Sequence, residues 1–304
     1  MPSVFAELTP VFLLIALGYA LRAARILSSE AFGHVNRFGY FVLYPAFLFT
    51  LSLNAKLEGD AASFLLGVLA GFLAMMGLTL ALRPFFKDGP AYTSVFQGSV
   101  RWNGFVLLTA APSLYGPIGP QLIGIAFGPL VLVVNLVCII VLTRWGEQRA
   151  ASWRALLDQI FANPLILGCL AGLGAQAVGF HDLGLAASAL DLLGDAAMPI
   201  ALVCVGAGLD FKAVRAARGP VALACLLKLV LAPAIMWTAA TLMGASPVAA
   251  AVAAGVGSTP TAAAGYTMAR ELGGDARLMA AIVTATTLLS FITMPIAIAL
   301  AQAG

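Results

Sequence analysis

The sequence predicts an all-α polytopic membrane protein of ten transmembrane helices, built as two five-helix halves of opposite orientation. Three observations carry that expectation. The 304 residues are 62% hydrophobic and only 10% charged, with mean hydropathy +1.01, where a soluble domain carries about a quarter charged residues. Apolar runs long enough to cross about 30 Å of hydrocarbon recur along the whole chain. Basic residues crowd alternate connections. No soluble domain or long linker is left over.

The runs place spans near residues 5–22, 33–54, 61–82, 92–114, 119–143, 159–179, 184–208, 219–242, 247–270 and 277–302. The opening MPSVFAELTPVFLL has no basic leader and carries Glu7, and Arg22 and Arg25 follow its apolar run. That order is the reverse of a secretory signal peptide, so the first span is expected to be retained. The second span, FVLYPAFLFTLSL, has Pro45 near its middle. The third, fifth and sixth contain Gly67–Gly71, Gly124–Gly128 and Gly168–Gly172, small faces suited to close helix packing. The seventh has Pro199 and is the least clean, because Asp191 and Asp195 fall in its first half. Cys138, Cys169, Cys204 and Cys225 lie inside apolar spans without metal-ligand spacing and read as buried small hydrophobes.

The connections set the orientation. Arg22, Arg25 and Arg37 flank the first, Arg83 and Lys87 the third, and Arg144, Arg149 and Arg154 the fifth. Lys212, Arg215 and Arg218 lie in the seventh, Arg270 and Arg277 in the ninth; the even-numbered ones hold only Lys56, beside Glu58 and Asp60. Positive loops stay cytoplasmic, which puts both termini outside. The net charge of +3 comes from these loops, and no basic patch with interleaved aromatics suggests nucleic acid.

An odd number of spans per half forces the second half to enter from the opposite side, so homologous halves form an inverted repeat, residues 1–150 and 151–304. Landmarks recur in order. Pro45 precedes Asn103 by 58 residues and Pro199 precedes Pro260 by 61, while Gly116 and Gly273 each follow thirteen residues after Asn103 and Pro260. The competing explanation is that proline and glycine are common in membrane helices.

Two spans contain breakers. In GVGSTPTAAAGYTMAR, Pro260 has no N–H and clashes with the carbonyl of Val256, Thr259 is pushed out of helical geometry, and Gly255 and Gly257 weaken the preceding turn. A break near Ser258–Thr259 would expose the hydroxyls of Ser258, Thr259 and Thr261 and a positive helix end from Thr261. In QGSVRWNGFVLLTAAPSLYG the break is expected at Arg101–Gly104, letting Gln97, Arg101 and Asn103 face one cavity. A guanidinium at mid-bilayer costs roughly 2.5–3.5 kcal/mol on insertion scales. Two half-helix N-termini beside Arg101 would favour an anion, so a substrate carboxylate explains the arginine. Snorkelling or a fixed acid partner explains it equally in kind.

Other charges have similar alternatives. Lys228 reads as a snorkelling or structurally paired lysine, or as charge-balancing at the site. Asp191 and Asp195, four apart, read as first-turn residues complementing a helix dipole, or as carriers of a coupled proton. His34 and His181 belong to loops, and Tyr266 and Thr267 are expected to pack.

The stretches SVFQGSVRWNGF, IFANPLILG, LGDAAMPIALVCVGAGL and STPTAAAGYTMARELGGDARLMAAIVTATTLLSFITMPI resemble the bacterial auxin efflux carrier family, nearest its malonate/malate permease branch. The resemblance implies the ten-helix fold of plant PIN auxin exporters, shared more remotely with bile-acid symporters and sodium–proton antiporters. It further implies a scaffold of helices 1, 2, 6 and 7 that dimerises through helices 2 and 7. A mobile transport domain of helices 3–5 and 8–10 moves as an elevator, with an anion at the crossing of broken helices 4 and 9. By this likeness Asn103 and Pro260 match the two crossover positions, and Arg101 matches an arginine frequent in the malonate-like branch. Plant carriers have an Asn-Pro type crossover in both halves; here Asn103–Gly104 and Thr259–Pro260 stand instead, which argues against an indole acid.

The function expected is secondary transport of a small organic anion such as a malonate- or malate-like carboxylate, in the bacterial inner membrane. A sodium-coupled bile-acid-type symporter and an auxin-like exporter are the alternatives. An enzyme would need a catalytic constellation; two histidines in loops, no HExxH and no GxSxG argue against one. No cofactor or metal is expected.

Overall fold

The computed structural model describes residues 2–55, 59–147, 162–180 and 183–304. Lys56, Glu58, Arg149, Arg154 and His181 lie outside the described residues. Everything regular within them is helical. Six stretches are long and apolar enough to cross a bilayer: Val4–Ala23, Ala61–Phe85, Ile118–Trp145, Ala186–Ala207, Arg218–Leu242 and Ala276–Ala303. Pro164–Ala177 and Pro247–Ser258 are shorter apolar helices. This is the architecture of a polytopic membrane protein.

The chain opens with α1 (Pro2–Ala23), 22 residues and so about 33 Å long. Helix α2 (Ser29–Phe38) starts at Ser28, whose hydroxyl accepts from the Ala31 amide. It runs through a π-helical turn, Gly39–Leu43, into α3 (Tyr44–Leu53). The cause is Pro45, which offers no N–H to the carbonyl of Phe41, so the backbone widens just upstream. The same device recurs later. Helix α11 (Arg218–Leu226) passes through a π turn, Leu227–Leu231, into α12 (Ala232–Leu242), two residues ahead of Pro233.

Between them lie α4 (Ala61–Ala81), α5 (Gly89–Val100), α6 (Gly104–Tyr115), α7 (Ile118–Trp145), α8 (Pro164–Ala177), α9 (Leu185–Ala207) and the short α10 (Phe211–Ala216). The chain closes with α13 (Pro247–Ser258), α14 (Ala264–Glu271) and α15 (Ala276–Ala303). The sequence-predicted spans 92–114 and 247–270 are thus each two half-helices, α5/α6 and α13/α14. Gly116 after α6 and Gly273 after α14 both turn the chain at positive φ, 65° and 75°, a conformation glycine adopts without strain.

Helix α1 packs on α9, and α3 packs on α8 and α9. Helices α4–α7 and α10–α15 pack mainly among themselves. The expected glycine faces are points of close helix contact. A Cβ at Gly67 would strike the backbone of Ala240 on α12, one at Gly124 would come 2.6 Å from Leu51, and one at Gly168 would come 2.7 Å from the Pro45 carbonyl. The closest approach was not legible as a motif: Gly18 and Gly206 press on the carbonyls of Val203 and Ile15 where α1 crosses α9.

One expectation needs correcting. Helix α9 begins at Leu185, because Gly184 turns the chain at φ 52°, so Asp191 and Asp195 stand beyond the first turn. Both are exposed on the helix surface.

Candidate functional site at the paired helix breaks

Both predicted breaks form, and each completes the other. Helix α5 ends at Val100; Arg101 turns to extended geometry (φ −73°, ψ 141°), its amide still bonded to the Gln97 carbonyl at 2.9 Å. Asn103 stays extended and α6 starts at Gly104. On the other side α13 ends at Ser258, and helix resumes only at Ala264, not at Thr261 as the proline alone suggested. The two extended segments touch. Asn103 N–H donates to the Pro260 carbonyl at 3.0 Å.

A broken helix leaves carbonyls without their i+4 amides, and buried ones need other partners. Every one of the carbonyls from Gly255 to Gly257 has a donor. Ser258 Oγ donates to Gly255 O and Thr259 Oγ1 to Val256 O, each at 2.9 Å. Lys228 Nζ donates to Gly257 O at 2.9 Å, the bond that the Thr261 amide would make in a continuous helix. That amide goes to Thr286 Oγ1 at 3.2 Å. On the α5 side, Thr261 Oγ1 donates to Gly98 O at 2.6 Å, replacing Trp102. The hydroxyls expected to be free are therefore donors to the backbone.

Lys228 does not snorkel. Its side chain is 1% exposed, carried inward on the π turn ahead of Pro233, and its amino group sits at the C-terminal end of α13. Gly257 makes this possible, since a Cβ there would come 2.7 Å from Ala232 O.

Arg101 is 4% exposed. Its Nε donates to Gln97 Oε1 at 3.0 Å and its Nη2 to Met268 Sδ at 2.8 Å. Among the described residues no carboxylate lies within 4.0 Å of this guanidinium. Gln97 Nε2 is buried and without a partner. Gly104 is confined by the rings of Phe127 and Trp102; a Cβ there would come 3.0 Å from the Trp102 ring.

The geometry thus gathers Gln97, Arg101, Asn103, Gly104, Ser258, Thr259, Pro260 and Thr261 at one buried junction, with Lys228 behind it. Asp191 and Asp195, exposed on α9, are not among the buried residues there. Tyr266 and Thr267 face outward; Tyr266 is 40% exposed with Arg270 over its ring. The inward face of α14 is instead Gly265 and Met268, three residues apart and both against Arg101.

Chemically the junction is cationic, offers unpartnered N–H, and lies between the N-termini of α6 and α14, where anions are favoured. Among the described residues no Asp or Glu is buried there.

Comparison with known proteins agrees with a transport role. A Rhizobium meliloti (strain 1021) protein named "Putative malonate transporter" is 27% identical over 312 residues, covering 95% of this chain and 94% of its own. An "Uncharacterized transporter" of Methanothermobacter thermautotrophicus is 23% identical over 294 residues, covering 94% of each. The family model described as membrane transport protein matches residues 3–298. The chain therefore belongs to the membrane transport protein family, the auxin efflux carrier group that its motifs resemble.

Proposed function

We propose that the protein is a secondary transporter of a small mono- or dicarboxylate of the malonate or malate kind, bound where the two helix breaks cross. The observation that carries this is Arg101: a buried guanidinium held by a neutral amide and a thioether, with no acid beside it among the described residues. A carboxylate would supply the missing charge in bidentate geometry, and the unpartnered Gln97 amide would donate to one of its oxygens. The name of the Rhizobium meliloti relative points to the same substrate class.

In this reading the ten helical segments form two inverted repeats, residues 1–150 and 151–304, with both termini outside. The matched breaks and the positive-φ glycines, Gly116 and Gly273, thirteen residues beyond Asn103 and Pro260, support the repeat. The packing of α1, α3, α8 and α9 on one another supports a scaffold, against which α4–α7 and α11–α15 would move as an elevator. The scaffold would pair two copies in the bacterial inner membrane through the second and seventh spans.

Sodium coupling of the bile-acid type is less well supported. Such a site uses acidic and amide side chains with carbonyl oxygens, and among the described residues no Asp or Glu is buried at the crossover. Uptake of radiolabelled malonate into proteoliposomes, with and without a sodium gradient, tests the proposal. Saturable uptake independent of sodium is expected. Equal counts in protein-containing and empty vesicles across a panel of carboxylates would refute it.

A further inference from the structure

We propose that Met268 is a placeholder for the substrate: its thioether holds the Arg101 guanidinium, and an incoming carboxylate oxygen takes its position. This deepens the anion-site reading and rests on it. The Arg101 Nη2 to Met268 Sδ contact, 2.8 Å, spans 167 residues of sequence and joins the end of α5 to the inward face of α14. A thioether is a weak acceptor, whereas a hydrogen bond from a guanidinium to a carboxylate is charge-assisted and about twice as strong as a neutral one. Exchange of sulfur for carboxylate oxygen is therefore favourable, as exchange against a fixed aspartate would not be.

The surroundings suit that exchange. Gln97 Oε1 holds Nε, which fixes the plane of the guanidinium and leaves its Nη edge to the exchanging ligand. Methionine has three rotatable bonds and no branch, so the thioether retracts without backbone movement. Gly265, one turn before Met268, keeps the space beside Arg101 open; a Cβ there would come 3.1 Å from Arg101 Cδ. Gln97 Nε2, buried and unpartnered, is a second donor that only an arriving acceptor satisfies. Substrate occupancy then severs a link between α5 and α14, so filling the site changes which half-helices are tied together.

Full-length protein labelled with [methyl-13C]methionine, in nanodiscs, provides the test. The chain has 9 methionines, and Met268→Leu identifies the resonance of Met268. Saturating malonate is expected to shift that methyl signal. Met268→Leu, which removes the acceptor at similar volume, is expected to bind malonate at least threefold more tightly and to unfold at a lower temperature when empty. Met268→Gln, a stronger neutral acceptor, is expected to bind it more weakly. Malonate binding that leaves the Met268 methyl unmoved, with unchanged affinity in Met268→Leu, overturns the placeholder alone. Failure of the native protein to bind any carboxylate of a mono- and dicarboxylate panel overturns the anion site, and the placeholder with it.

Discussion

The Asn103 amide donates to the Pro260 carbonyl at 3.0 Å, joining the interrupted helix of one half of the chain to that of the other. Neither break is a local defect. The carbonyls of Gly98, Gly255, Val256 and Gly257 are each met by a side-chain donor, and the shortest such tie is Thr261 Oγ1 to Gly98 O at 2.6 Å. Thr261→Val keeps the shape and removes the donor, leaving a buried carbonyl unpaired. A loss of about 1–3 kcal/mol is expected, read as a lower unfolding temperature in detergent, whereas Thr293→Val on the exposed surface of α15 should change little.

Arg101→Ala removes the only charge at the junction that faces neither a backbone carbonyl nor a carboxylate among the described residues. Hydrogen bonds to charged groups contribute about 1.5–3 kcal/mol, so malonate affinity should fall about 10- to 100-fold. Expression and monodispersity should survive. Calorimetric titration checks this; normal affinity and flux in a well-folded Arg101→Ala protein would make the arginine structural.

Lys228→Met should behave differently. Its amino group satisfies Gly257 O at the C-terminal end of α13, so its removal orphans a buried carbonyl. A drop in unfolding temperature is expected together with the loss of flux. The two effects should separate in Arg101→Ala and travel together in Lys228→Met.

Glycine substitutions probe the packing that sets the breaks. A Cβ at Gly257 would meet Ala232 O, Ala232 C and Pro233 Cα within 2.8 Å, all backbone, so Gly257→Ala should cost about 1–3 kcal/mol. Gly77 on α4 has nothing within 4 Å of the same position, and Gly77→Ala should instead stabilise by about 0.4–1 kcal/mol. Thermal unfolding of the pair distinguishes a steric requirement from a general effect of glycine.

Much of this was legible in the residues. Apolar runs located the helical segments, and Pro260 with its flanking glycines located the second break by backbone chemistry alone. The first break was legible only through its polar residues, because Asn103 and Gly104 permit a bend without enforcing one; the partner that enforces it, Pro260 O, lies in the other half. Resumption of helix at Ala264 and not at Thr261 has the same origin: the Thr261 amide and hydroxyl are claimed by Thr286 and Gly98. Met268 carries no sequence signal, because a sulfur side chain in an apolar run reads as packing until the fold brings it to Arg101. That Asp191 and Asp195 stand beyond the first turn depends on where α9 begins, which Gly184 decides.

The central claim is that the crossed breaks hold a carboxylate on Arg101. A density map of the protein with malonate bound tests it most directly. The account predicts a carboxylate within hydrogen-bond distance of the Arg101 guanidinium, beside Gln97 and the Asn103–Pro260 junction. Malonate seated elsewhere, or Arg101 paired to an acid of the protein itself with the ligand present, would contradict it.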